Sequence, residues 1–98
     1  MNNWPFDQAK NVAAITTRGV LEERLPVLTV IHFSDDHSWA FLCGTMNETS
    51  DGRVITMEQA WNIDPSIAEI SDLPPGWIAW RSRVGGEWQL KENNNEEG

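Results

Sequence analysis

The chain has one cysteine, no tyrosine, and only seven Lys and Arg against fifteen Asp and Glu. A single Cys43 excludes an internal disulfide and a multi-cysteine zinc site, and its isolation favours a reducing compartment. Scarce basic residues argue against a phosphate-tracking nucleic-acid binder, whose affinity comes from clustered Lys and Arg. Long apolar runs are missing too. The longest, "LPVLTVIHF", is far too short to cross a bilayer. "MNNWPFDQAK" has no basic segment leading into an apolar stretch, so no secretion signal is visible and a cytoplasmic location is expected.

What is present is unevenly distributed. The formal charge is −8, yet residues 1–33 sum to zero, 34–72 carry −7 with Arg53 as the lone cation, 73–91 carry +2, and the last seven residues add −3. An acidic centre of this kind suits either plain solubility or a basic protein partner. Six Trp and three Phe supply all the aromatic side chains. Each Trp can bury about 150–250 Å², so a few can dominate a core or an interface. At 98 residues the chain is long enough for one domain, burying roughly 60–68% of its unfolded surface.

Periodicity and turn chemistry divide the chain into short elements. Residues 1–10, with Trp4 and Phe6 around Pro5, form an arm that either docks or frays. "NVAAITT" reads as a strand running into a turn at Arg18 and Gly19. "LPVLTVIHF" is β-branched, with Pro26 at its start where a missing donor does least harm. In "SWAFLCGT" the alternation puts Trp39, Phe41 and Cys43 on one face. After the polar "MNETSDGR" and a short strand at 53–55, Thr56 and Gln59 fit a capping box. Asp64 and Pro65 then restart a helix whose Ile67 and Ile70 point one way, and "DLPPG" stops it. "WIAWRSR" and "EWQLK" form a last hairpin around Gly85 and Gly86, while residues 92–98 make an acidic tail with nothing to bury. The expected fold is therefore one α+β domain over 11–91, with an antiparallel sheet of about five strands and one or two short helices on one face.

"HFSDDHSWAFLCG" gathers both histidines and the cysteine. Cross-strand pairing across its turn sets Trp39 opposite His32 and Cys43 opposite Leu28, leaving His32 and Cys43 four rungs apart, about 13 Å at 3.3 Å per residue. One metal cannot bridge that distance. Asp35, Asp36 and His37 remain at the tip, without a matching cluster elsewhere in the sequence, so neither a metal nor another cofactor is expected. Cys43, among aromatics, has the setting of an inert thiol. No nucleophile elbow, P-loop, dinucleotide fingerprint or calcium loop is present, and an enzyme is not the expected reading. The interaction candidates are Asp35, Asp36, Glu48 and Asp51 as an acidic rim, with Trp77 and Arg81 as anchors, because Trp beside Arg is typical of interface hot spots. Two alternatives stand beside this one. One is a small-molecule module with a pocket lined by Trp61, Trp77 or Trp80, and the other a hydrolytic or metal-dependent enzyme around His37.

The order of several motifs is itself informative: D-x-x-W-x-F-L-x-G (Asp36, Trp39, Phe41, Leu42, Gly44), "DPSI" (64–67), "LPPG" (73–76), "AWR" (79–81) and a late Trp88. This order resembles a bacterial group of small domains of unknown function, some proposed to be immunity proteins encoded beside secreted toxins. The resemblance covers about residues 12–88. It implies a compact α+β binding protein of the cytoplasm that neutralises a toxin-like partner, and it assigns no catalytic residue; Cys43 lies outside the pattern.

Overall fold

The computed structural model describes residues 4–6, 8–43 and 52–92. They form a mixed sheet of six strands: β1 Ala13–Thr17, β2 Thr29–His32, β3 Trp39–Leu42, β4 Gly52–Thr56, β5 Trp77–Trp80 and β6 Gln89–Glu92. The spatial order is β4-β1-β3-β2-β5-β6. Two helices, α1 Arg18–Glu22 and α2 Met57–Ile63, and a 3₁₀ helix over Pro65–Ile70 complete the elements.

The sheet corrects the expectation of about five antiparallel strands. β1 and β3 run parallel, with Ile15 opposite Ala40 and Thr16 opposite Phe41. The cause lies just after β1. Arg18 and Gly19 do not make a hairpin turn; Thr17 caps α1 instead, its side chain accepting a hydrogen bond from the Val20 N–H. The helix carries the chain past the neighbouring position, β2 forms further out, and the β2–β3 hairpin folds back to lay β3 beside β1 in the same direction. β4, expected as a short strand, closes the other flank of β1 over five antiparallel rungs.

Local chemistry explains the remaining elements. Thr56 and Gln59 form the full capping box of α2, with both reciprocal bonds present. Asp64 accepts from the Ser66 N–H at 3.1 Å, and Pro65 takes the first position of the 3₁₀ helix. In "PPGW" the Trp77 N–H donates to the Pro74 carbonyl while Gly76 sits at φ 86°, the left-handed third position of a type II turn. That turn leads straight into β5.

Alternation gives the sheet two unlike faces. Ala14, Val30, Trp39, Phe41, Ile55 and Ala79 lie on the covered face, under Met57 and Ala60 of α2, Ile67 and Ile70 of the 3₁₀ helix, and Leu73. The arm covers more of it, at Trp39 and Phe41. Phe6 is buried edge-on against Trp39, with ring centroids 5.1 Å apart, and Trp4 meets Phe6 and Trp61 at 5.5 and 5.3 Å. Gln8 fixes the arm with three bonds of 2.6 Å: its carbonyl accepts from Trp4 Nε1, its Oε1 from Trp39 Nε1, and its Nε2 donates to the His37 carbonyl. The described arm residues are therefore docked.

Candidate functional site

The β2–β3 hairpin has the register that cross-strand pairing predicts, with His32 opposite Trp39 and Val30 opposite Phe41. His32 stacks on Trp39 with centroids 4.0 Å apart and planes 16° off parallel. Its Nδ1 lies 2.7 Å from the Leu73 carbonyl, which only an N–H can satisfy, so the proton sits there. Cys43 is buried, and the Thr17 hydroxyl lies 3.4 Å from its Sγ. Both residues are embedded in the covered face, away from solvent.

At the tip, Phe33 N–H bonds the Ser38 carbonyl at 2.9 Å, closing a four-residue loop over 34–37. The acids shape this loop. Asp35 Oδ1 accepts from the Asp36 N–H, and Asp36 Oδ1 accepts from both the N–H and the hydroxyl of Ser38, at 3.0 and 2.7 Å. Those two bonds from Ser38 hold the Asp36 carboxyl below its ordinary pKa. His37 adopts φ 61°, a left-handed conformation that His tolerates better than most residues. Asp35, Asp36 and His37 are all exposed. Among the described residues no group of three or more His, Cys, Asp or Glu side chains is placed to hold a metal ion.

Glu48 and Asp51 lie outside the described residues. Arg81 is a correction: expected as an anchor, it is fully buried, with 0% side-chain exposure. Its Nε and Nη2 donate to the Val27 carbonyl at 3.1 and 3.0 Å, Nη2 also reaches Asp64 Oδ2 at 2.9 Å, and Trp88 lies over the guanidinium at 4.3 Å. The physical reason is alternation. Arg81 follows Trp77 and Ala79 on the covered face, where a cation is retained only by a carboxylate and a carbonyl. Trp88 packs on the Arg81 guanidinium. Trp77 is half-buried on the same face.

The other face of the sheet carries three of the exposed large apolar side chains, Val54, Ile15 and Trp80. Cross-strand pairing draws one row through all six strands: Val54, Ile15, Ala40, Ile31, Ile78 and Lys91. Leu42, Thr29, Trp80 and Gln89 form a shorter row beside it. Val54 is 74% exposed, Ile15 43% and Trp80 37%, and no helix of the described residues covers them. Lys91 is the single charged residue of these two rows, its Nζ lying 5.7 Å from the Trp80 ring centre. A shallow hollow bounded by Thr29, Ile78, Trp80 and Lys91 lies on this face. Sequence alternation shows that Trp77 and Trp80 face opposite ways; it does not say which is covered. Phe6 and the helices decide that, leaving Trp80 outside.

Comparison of the chain with protein-family models, with curated proteins and with solved structures returns no match. No helix of the described residues is long and apolar enough to cross a membrane.

Proposed function

We propose that this chain is a non-enzymatic protein-interaction domain of the cytoplasm, immunity-like in character, that binds a basic protein partner. The observation that carries the reading is the set of apolar side chains exposed on one sheet face, Val54, Ile15 and Trp80, in rows that also hold the half-buried Ile31 and Ile78 and the buried Ala40. Apolar side chains gathered in an exposed patch are a usual mark of a docking surface. Charge supplies the complement: the chain carries −8, and the exposed Asp35 and Asp36 stand at the turn that ends β2 and begins β3. Acidic fields of this kind raise association rates with basic partners by roughly 10- to 10³-fold. Trp80 takes the anchoring role, since Arg81 is internal and Trp77 faces the core.

The test uses the product of the adjacent reading frame as the candidate partner. Its association rate should fall with rising ionic strength, and reversing both tip acids, as D35K/D36K, should lower the rate further. Trp80→Ala should act instead on dissociation. Association indifferent to salt and to the reversal removes the electrostatic part of the proposal; tight binding untouched by Trp80→Ala removes the docking face.

A further inference from the structure

A second surface feature lies on the other side of the molecule's short helices and does not depend on the interaction reading. A groove of about 530 Å³ runs between α1, the end of α2 and the β5–β6 turn, lined chiefly by Val20, Leu21, Leu25, Ile63, Val84 and Arg24. Its volume falls within the range of small-ligand sites, and apolar walls with one or two convergent polar groups are their usual composition.

The charge at this groove is unusual for the chain. Glu22 pairs with Arg53 at 3.1 Å, Glu23 with Arg18, and Asp64, which also lines the groove, with Arg81 at 2.9 Å. Each of these three acids is thus engaged by another arginine. Arg24 is engaged by none: it is exposed, and no hydrogen bond or ion pair joins its side chain to any described residue. Arg83, next to Val84, is likewise exposed. Among the lining residues Arg24 is thus the one cation, and Asp64, the one acid, already has Arg81 as its partner.

Backbone conformation marks the same residue, as it does His37 at the hairpin tip. After α1 the N–H groups of Glu23 and Leu25 both donate to the Gly19 carbonyl, at 3.1 and 3.0 Å, and the reversal between them puts Arg24 at φ 59°. Glycine is the usual occupant of such a position after a helix, because a Cβ is strained there. An exposed arginine without a partner among the described residues, set beside apolar walls, suits pairing with an anionic head group.

We propose that this groove binds a small amphiphilic carboxylate, its alkyl tail against Leu21, Ile63 and Val84 and its head group paired with Arg24. The test is an amide NMR titration of the full chain with sodium octanoate, sodium hexanoate and 1-octanol. Octanoate should shift residues 20–27, 63, 64 and 84 saturably and bind more tightly than hexanoate, by about fourfold per added methylene. Octanol, with the same tail and no charge, should bind about tenfold more weakly than octanoate. Two variants separate charge from strain. Arg24→Gly relieves the backbone and should melt no lower than the parent, and Arg24→Gln keeps the Cβ; both should lose the preference for octanoate over octanol. Absence of a saturable octanoate shift at these residues, or a preference that survives both substitutions, overturns the proposal.

Discussion

Replacing Arg81 by alanine separates an internal strut from a surface anchor. Three losses follow from its contacts. The Val27 carbonyl gives up the two donors that satisfy it, which costs about 1–3 kcal/mol for a buried acceptor. Asp64, only 14% exposed, loses its countercharge; removing one member of a buried pair costs about 3–5 kcal/mol. Trp88 loses the cation over its ring, a contribution of roughly 0.5–2 kcal/mol. These overlap, because one side chain makes all of them, so the expected loss is about 3–5 kcal/mol. A domain of 98 residues holds roughly 5–15 kcal/mol in total. Urea unfolding followed by Trp fluorescence should show the midpoint falling by roughly 2 M at unchanged slope. Asp64→Asn should cost a similar amount, since it strands the cation while Asn still caps the 3₁₀ helix. The double variant R81M/D64N removes both charges and should recover most of the loss. A cost below about 0.5 kcal/mol for Arg81→Ala, the range of ordinary surface substitutions, would refute the strut.

Three further outcomes follow from single contacts. Phe6→Ala should destabilise by about 3 kcal/mol in the same assay, because Phe6 is buried against Trp39 and Phe41; an arm that merely lay on the surface would show almost no change. Thr56→Ala removes the cap of α2 and should lower stability by about 1 kcal/mol, read as a fall of roughly 4–8 °C in Tm. Ser38→Ala should raise the Asp36 pKa toward its ordinary value, as measured by carboxyl NMR titration. Since the folded value is depressed, the stabilisation it brings is present above the ordinary value of 3.8 and is lost as pH falls through the folded one. The parent and variant curves should therefore converge in acid and separate toward neutrality.

Much of this arrangement is legible before folding, and the rest has a common reason for being hidden. The His32–Trp39 stack, the Thr56 capping box, the Asp64–Pro65 start and the glycine turns depend on residues within a few positions of one another, or on one hairpin's pairing. The parallel contact of β1 with β3 depends on where a crossover deposits a hairpin, which neither alternation nor turn propensity encodes. "AWRSR" reads as surface because its arginines sit at a strand end near a turn. Arg81 is internal only because Asp64, seventeen positions earlier, is brought beneath it. The exposed tryptophan of β5 was hidden in the same way. Its assignment rests on Phe6 and Gln8, more than seventy residues upstream, closing the opposite face. Arg24 gave no sequence signal at all, since a positive φ without glycine leaves no mark in composition.

The open face poses a sharper problem, because valine and isoleucine have two reasons to be there. They are favoured in strands whether or not anything docks on them, so apolarity by itself does not distinguish a binding surface from a solvated sheet made of good strand formers. Threonine separates the two explanations, having comparable β-propensity without the apolar surface. Val54 is 74% exposed and Ile15 43%, so V54T and I15T remove little that the fold buries. Each should change stability by no more than about 0.5 kcal/mol. If the row serves docking, the pair V54T/I15T should nevertheless weaken partner binding about tenfold, through a faster dissociation rate with the association rate and its salt dependence intact. If binding proceeds unchanged while Asp35 and Asp36 reversal still slows it, the partner lies on the hairpin tip and the row is strand propensity alone. Because Trp80 lies beyond Ile31 and Ile78 from these two residues, its own substitution maps the other end of the face. A loss at Trp80 without one at Val54 and Ile15 would confine the contact to the β2–β5–β6 side, around the hollow that Lys91 borders.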